Sequence, residues 1–249
     1  MINHKISIVI RTFNEDKHLD LVLKSISRQT YKNYEIVIVD SGSTDNTLEI
    51  AKKYHTKVVD IDKNKFNYSY ASNVGVQNSD GDIVCFLSGH SVPLKNDYLE
   101  ETNSIFQDSK VGAIYGEITA LPDGSLTEKA FNWIGRVKSK MRGDRRGLFF
   151  ETQIHPGIFS CSNASARRTL LEKYPFQEAL GRGGEDIEVA FQILNAGYFV
   201  VKASDLIVMH SHGKGFFEFL EEYRDWQIMY KEAVAFIASS KNGGINLDK

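Results

Sequence analysis

Tyr34-Glu35-Ile36-Val37-Ile38-Val39-Asp40-Ser41-Gly42-Ser43-Thr44-Asp45 runs from an apolar strand, through an acid, into a turn that starts a helix. A continuous apolar run, as opposed to an alternating one, belongs to a strand covered on both faces, as in parallel sheets. The turn at 41–45 supplies capping side chains for a helix predicted over 46–54. Upstream, residues 5–10 are a β-branched strand and Asn14-Glu15-Asp16 offers capping chemistry. Leu19, Val22, Leu23 and Ile26 then recur at helical spacing. Downstream, 57–61 reads as a third strand, 70–78 as a helix and 82–87 as a fourth strand. Strands alternating with helices imply parallel βαβ units, whose ligands sit in the crevice beyond the strands' carboxyl ends.

The pattern loosens after Pro93. Strands are predicted at 111–116, 157–162, 198–201 and 206–209, and a helix at 185–196 closed by Gly197. Residues 123–150 are polar, basic and punctuated by glycine, with Trp133 as the largest anchor; the 136–146 stretch reads as a mobile loop or loose helix. The tail, 216–238, is helical and aromatic. The expectation is one α/β domain over 1–249, with halves at 1–93 and 94–215 and a helical tail over 216–249.

With 42% hydrophobic and 25% charged residues, the 249-residue chain has the composition of a soluble globular protein. A formal charge of -2 argues against a nucleic-acid binder built on a basic surface. No apolar run reaches 18 residues, and the N-terminus passes straight into a strand with no signal-peptide pattern. Cys85 and Cys161 read as buried free thiols, which fits the cytoplasm.

The polar motifs fall at predicted strand ends. Ile10-Arg11-Thr12-Phe13-Asn14-Glu15 feeds a helix start, where backbone N–H groups hold an anion or a base edge, or simply cap the helix. Asp40 is placed to accept hydrogen bonds from a nucleoside, and Asp45 either joins it or caps the next helix. In Gly181-Arg182-Gly183-Gly184-Glu185-Asp186-Ile187-Glu188, a glycine run brings two carboxylates to a helix N-terminus. The helix dipole favours their ionised form, which a general base needs; the plainer alternative is a capping box. His210 and His212, two apart after a late strand, face one side if the strand continues. Gly213 ends it soon, so one of the two is expected at the site. Lys214 and Arg182 are further candidates for phosphate or acceptor contact.

Residues 7–15, 23–31 and 35–45, with Asn73-Val74-Gly75 and Ser79-Asp80-Gly81-Asp82-Ile83, resemble the nucleotide-binding half of family 2 glycosyltransferases, which have the GT-A fold. By that resemblance Thr12, Asn14, Glu15, Asp40 and Asp45 line the nucleotide site. Arg11 stands where proline is usual, either as a cation near the nucleotide or as a neutral change. Ser88-Gly89-His90 stands where the family has Asp-x-Asp, whose acids hold a divalent cation against the diphosphate. Imidazole suits Mn²⁺ better than Mg²⁺, so Mn²⁺ is the expected cation. A protonated His90 meeting phosphate without a metal, and a purely structural histidine, stay open as alternatives. A C-terminal histidine often completes the family's metal site, which His210 or His212 would supply.

The resemblance also implies that Asp186 is the base, that Glu185 binds acceptor hydroxyls, and that Asn163, in a segment under the donor sugar, contacts sugar or merely packs. The implied reaction is inverting transfer of a hexose-type sugar from a nucleotide-diphosphate sugar to a hydroxyl of a growing surface glycan, free or lipid-linked. Two rivals stand beside it. A nucleotidyltransferase would need a Gly-rich basic phosphate loop, which residues 11–15 lack. A non-catalytic nucleotide-sugar-binding subunit fits the missing Asp-x-Asp but not the intact Glu185-Asp186 pair. The aromatic tail is expected to pack on the domain, to bind a second copy, or to touch the inner face of the membrane.

Overall fold

The computed structural model describes residues 2–142, 147–181 and 183–240. Along the chain come β1 (Ile6–Thr12), α1 (Leu19–Ser27), β2 (Tyr34–Asp40), α2 (Thr47–Ala51), β3 (Lys57–Asp60), α3 (Tyr68–Gln77), β4 (Ile83–Ser88) and β5 (Val92–Pro93). Then follow α4 (Tyr98–Ile105), β6 (Val111–Thr119), α5 (Leu126–Arg142), β7 (Leu148–Glu151), β8 (Asn163–Arg167), α6 (Arg168–Lys173), α7 (Glu185–Asn195), β9 (Phe199–Met209) and α8 (Phe216–Ser240).

One sheet carries all of it, in the order β3-β2-β1-β4-β8-β6-β9-β5, with β7 paired to β9. The first four strands are parallel, as their apolar runs require. β8 is antiparallel to both β4 and β6, while β6 and β9 are parallel. Alternation along β1 splits the core between the two faces. Ile6, Ile8 and Ile10 meet Leu23 and Ile26 of α1 on one face. Val9 lies on the other, in a cluster with Val76 of α3 and Val189 and Ile193 of α7. This is the GT-A arrangement, a largely parallel sheet between helices with a C-terminal helix.

Two expectations need correction, and one open alternative is decided. Residues 157–162 form turns and no strand; Gly157 and Phe159 have φ of +82° and +54°, and the strand begins only at Asn163. Ile158 and Phe159 are fully buried nonetheless, so the apolar pattern registered burial and not conformation. The strands expected at 198–201 and 206–209 are one, β9, with register shifts against β6. Its polar middle stays extended because Lys202 pairs with Glu117 at 3.0 Å and Ser204 Oγ donates to the Gly147 carbonyl at 2.9 Å. The basic stretch after Asp123 is helical through α5; residues 143–146 lie outside the described residues.

The turn after β2 is built on a buried acid. Asp40 is fully buried, and its carboxylate accepts hydrogen bonds from the N–H groups of Gly42 (3.0 Å) and Ser43 (2.8 Å) and from the hydroxyls of Thr12 (2.8 Å) and Ser43 (2.6 Å). Removing it leaves four donors without their acceptor, the buried Thr12 hydroxyl among them. Asp40→Ala is expected to lower stability by about 3 kcal/mol or more. A denaturant melt unchanged within error would show that water replaces the carboxylate without cost.

Candidate active site

The carboxyl ends of β1, β2 and β4 meet at one edge of the sheet, with Thr12 beside Asp40 and Arg11 beside Ser88 in register. The side chains of Asn14, Glu15 and Asp16 do not cap α1, which has no side-chain cap. Their N–H groups instead donate to Ser43 Oγ (2.9 Å), Thr47 Oγ1 (2.7 Å) and Asp45 Oδ2 (3.1 Å), and Asn14 Oδ1 accepts from the Thr44 N–H at 2.8 Å. The donors expected to cradle an anion are therefore used to join the two loops. Asp45 also accepts from the Thr47 N–H at 3.0 Å, the capping role weighed for it. Burial pushes its pKa up, but these hydrogen bonds hold it below the usual value. Asp40, expected to face a nucleoside, has its four hydrogen bonds inside the protein. Two groups beside it escaped the sequence reading. Ser41 Oγ is buried without a hydrogen-bond partner, and Phe13 is 41% exposed with Lys63 Nζ 4.6 Å above its ring.

At the end of β4, three histidines converge. His90, His210 and His212 each offer a ring nitrogen, and these atoms lie within 4.8 Å of one another. His90 stacks on His210 at 4.5 Å, and the Nε2 atoms of His210 and His212 are 3.3 Å apart. The expectation that only one of the late histidines reaches the site is corrected: β9 ends at Met209, and the coil beyond it brings both to His90, with His212 on the exposed side. Glu15 Oε1 holds His90 Nδ1 at 2.8 Å, leaving a buried Nε2 without a partner. Gly89 is needed for that approach, because a Cβ there would sit 2.5 Å from Glu15 Cγ. Ser88 and Ser91 both hold His210 Nδ1 at 3.1 Å. Ser88 thus orients a histidine from behind, where a ligand role was expected.

Imidazoles whose other nitrogen is tied to carboxylate or hydroxyl, as in His90 and His210, are the usual construction of a metal site. The unpartnered Nε2 of His90 fits a divalent cation held by His90, His210 and His212. A cation held there would supply positive charge for a departing diphosphate. Burial, then the neighbouring His90 and His212, pushes the His210 pKa well below the ordinary histidine value. Burial does the same, less strongly, for His212. Neutral imidazole is the form that binds metal. From α8, Glu222 stands 4.0 Å from His212 Nε2 and binds Lys214 at 2.9 Å, so Lys214 is already paired.

The second chemical group is the pair at the start of α7. Gly183 and Gly184 have φ of +133° and +91°, and Cβ atoms there would lie 2.1 Å from Met229 Sδ and 2.9 Å from the Met229 carbonyl of α8. Only glycines let α8 press on this entry. Glu185 is buried and Asp186 half-buried. Burial, followed by the charge of Glu185, pushes the Asp186 pKa well above the usual carboxylate range. Burial raises Glu185 as well, against the pull of Arg11. The helix dipole, expected to keep both ionised, is outweighed. Arg11 Nη1 lies 3.9 Å from Glu185 Oε1 and 3.1 Å from Ser72 Oγ. It is thus no neutral change but a cation facing the acidic pair. Cys161, in the 157–162 turns, is close enough for its thiol to feel Arg11, Asp186 and Glu185, though burial dominates its raised pKa.

Asn163 is 2% exposed. Its Nδ2 donates to the Glu117 and Leu206 carbonyls at 2.8 and 3.0 Å, and its Oδ1 accepts from Tyr98 at 2.7 Å. It clasps β8 to β6 and β9, with no amide hydrogen left for a sugar. Arg182 lies outside the described residues.

The sequence profile of glycosyl transferase family 2 matches residues 7–175. The chain belongs to that family. It is therefore a glycosyltransferase. O-antigen chain rhamnosyltransferase RfbN of Salmonella typhimurium is 26% identical over 234 residues, which cover 91% of this chain and 72% of RfbN. O-antigen chain rhamnosyltransferase WbaN of Salmonella anatum is 28% identical over 195 residues, 76% of this chain and 60% of WbaN. Glycosyltransferase AglE of Haloferax volcanii is 27% identical over 214 residues, 82% of this chain and 66% of AglE. The chain thus spans 60% to 72% of these relatives' lengths. Among solved structures, the mannosyltransferase PcManGT from Pyrobaculum calidifontis, in complex with GDP-Man and Mn²⁺, superposes with a TM-score of 0.65 at 18% identity. That match covers 99% of this chain and 77% of PcManGT. TarS 1–349 of S. aureus in complex with UDP-GlcNAc gives 0.65 at 18% identity, over 85% of this chain and 59% of TarS. At this identity the structures establish the shared fold.

Two outcomes test this family 2 site. Glu15→Ala frees His90 to rotate and is expected to weaken binding of Zn²⁺ or Mn²⁺ by about 10–100-fold, read by titration calorimetry; undiminished affinity would mean that His90 is no ligand. Arg11→Met removes the cation that lowers both acids' pKa values. The acid limb of kcat/KM should then move to higher pH. A profile that keeps its position would reduce Arg11 to a packing residue.

Proposed function

We propose that this chain moves a sugar, with inversion, from a nucleotide-diphosphate sugar to a hydroxyl of a growing surface glycan. The observation that carries the reading is the raised pKa of Asp186 at the glycine-flanked start of α7, opposite Arg11. A base whose pKa is lifted toward the working pH takes a proton more strongly than an ordinary carboxylate. Asp186 removes the acceptor hydroxyl's proton as that oxygen attacks the anomeric carbon; the bond to the diphosphate breaks and the nucleoside diphosphate departs. Glu185 holds the acceptor's hydroxyls. The side of the leaving group is the histidine cluster, which suits Mn²⁺ or Zn²⁺ better than Mg²⁺ because it offers nitrogen and no carboxylate.

The nucleoside lies over the β1 and β2 ends, with Ser41 Oγ as its hydrogen-bond partner and Phe13 as a stacking face. The unpartnered hydroxyl and the exposed ring support this. That RfbN and WbaN are O-antigen chain rhamnosyltransferases supports a polysaccharide acceptor, free or lipid-linked. The tail is only partly free: α8 buries Phe219, Ala233 and Ile237. Its outer side, with Phe216 and Phe217, also shows Glu218, Glu221 and Asp225, a charge that opposes an anionic membrane. No described helix is long and apolar enough to cross a membrane.

Asp186→Asn should cut turnover by about two orders of magnitude or more while nucleotide-sugar affinity stays near that of the wild type. Because the folded state raises this pKa, it holds the proton more tightly than the unfolded chain. Stability is then lost as pH rises from the ordinary aspartate value toward the raised one. Asp186→Asn lacks that loss and is expected to melt at higher temperature than the wild type at neutral pH. Wild-type turnover in the variant sinks the base assignment, and an unchanged melting temperature sinks the electrostatic account of it.

A further inference from the structure

Helix α5 is amphipathic in the wrong direction for a helix that packs on a domain. At about 100° per residue, Leu126, Ala130, Trp133, Ile134, Val137 and Met141 fall within an arc of about 100°. All six are exposed: Leu126 by 84%, Trp133 by 67% and Met141 by 82%. The opposite side carries Glu128, which is 6% exposed. A contiguous apolar stripe that faces water marks an interaction surface.

The charge around the stripe identifies what it meets. The helix contains Lys129, Arg136, Lys138, Lys140 and Arg142 against the single acid Glu128, although the whole chain carries -2. Lys129 and Arg136 lie along one edge of the apolar arc and Lys138 beyond the other. Glu128 is turned inward, where its carboxylate accepts from the backbone N–H groups of Ser125 (2.9 Å) and His212 (2.8 Å). No acid of α5 therefore opposes the basic edges. Two copies meeting through α5 would bring like charges together. At 17 residues, about 25 Å, the helix is too short to span a bilayer. Basic edges around an aromatic and aliphatic face are the pattern of a helix lying in the plane of an anionic membrane surface.

We propose that α5 docks this protein on an anionic bilayer, with its apolar stripe among the acyl chains and its basic edges at the headgroups. The Glu128–His212 hydrogen bond ties the docked helix to the histidine cluster, so docking brings the donor side of the site to the membrane surface. This surface differs from the acidic α8 and is independent of the transfer reaction.

The test is vesicle flotation of the full chain, without sugar nucleotide, on phosphatidylglycerol–phosphatidylethanolamine vesicles beside phosphatidylcholine vesicles. The wild type should float with the anionic vesicles, remain behind with phosphatidylcholine, and be released by salt. The triple variant Leu126→Ser, Trp133→Ser, Met141→Ser should lose at least about tenfold in partitioning. Lys129→Gln, Arg136→Gln, Lys138→Gln should lose about a hundredfold at low salt. Each variant is checked for an unchanged melting curve; these are surface positions, and either set alone keeps the test decisive. Asp186→Asn should float like the wild type whatever the fate of the base assignment. The proposal is overturned if the wild type does not float at low salt or if the serine variant floats equally well. It is also overturned if light scattering shows a dimer that the serine variant abolishes without any vesicle binding, which would assign the stripe to a second copy.

Discussion

A buried carboxylate must be fully hydrogen-bonded or it destabilises the fold, and Asp40 meets that demand in a way that sets the shape of the whole site. To satisfy it, the chain after β2 folds back so that Gly42 and Ser43 point their N–H groups at it, and β1 contributes Thr12 from the next strand. The turn so formed presents Ser43, Asp45 and Thr47 to the loop after β1, whose N–H groups they accept. That loop is thereby fixed with Glu15 against Gly89 and His90. One internal acid at the end of β2 thus determines, through two loops, where an imidazole at the end of β4 points.

The consequence is a site in which acids work mostly from behind. Where the resemblance leads one to expect Asp-x-Asp, this chain has Ser88-Gly89-His90, and its acids and hydroxyls aim imidazole nitrogens. The carboxylates that do face the crevice, Glu185 and Asp186, are opposed by Arg11. Arg11, where the resemblance leads one to expect proline, supplies that opposing charge. Negative charge is thus sparse at the histidine cluster and opposed by a cation at the start of α7.

The parallel half was legible because strands buried on both faces have to be apolar throughout, and because Asp40, Asp45 and the glycines occur at the ends of those runs. The pairing of Glu185 with Asp186 was legible from its place at a helix start. What escaped depends on contacts between distant segments. Nothing local distinguishes a hydroxyl that orients His210, as Ser88 does, from one that binds a ligand. Asn163 looked available because its three partners come from three other elements. The 157–162 segment looked like a strand because its side chains are buried, and burial has the same composition in a turn. In β9 the polar Lys202-Ala203-Ser204-Asp205 interrupted the pattern without interrupting the backbone. The convergence of three histidines was half legible: their types suited a metal, but a coil beyond β9 decided that both late ones arrive.

The contact between Met229 and the two glycines before Glu185 constrains how this lineage of sequences can drift. A side chain at 183 meets the sulfur of Met229, and one at 184 meets backbone that no substitution can remove. Both positions also have left-handed backbone, with φ of +133° and +91°, so a shorter residue at 229 would relieve the contact at 183 without relieving the strain there. The glycine pair is thus held twice, by the backbone turn that starts α7 and by the helix that lies on it, whereas residue 229 is held only by the contact.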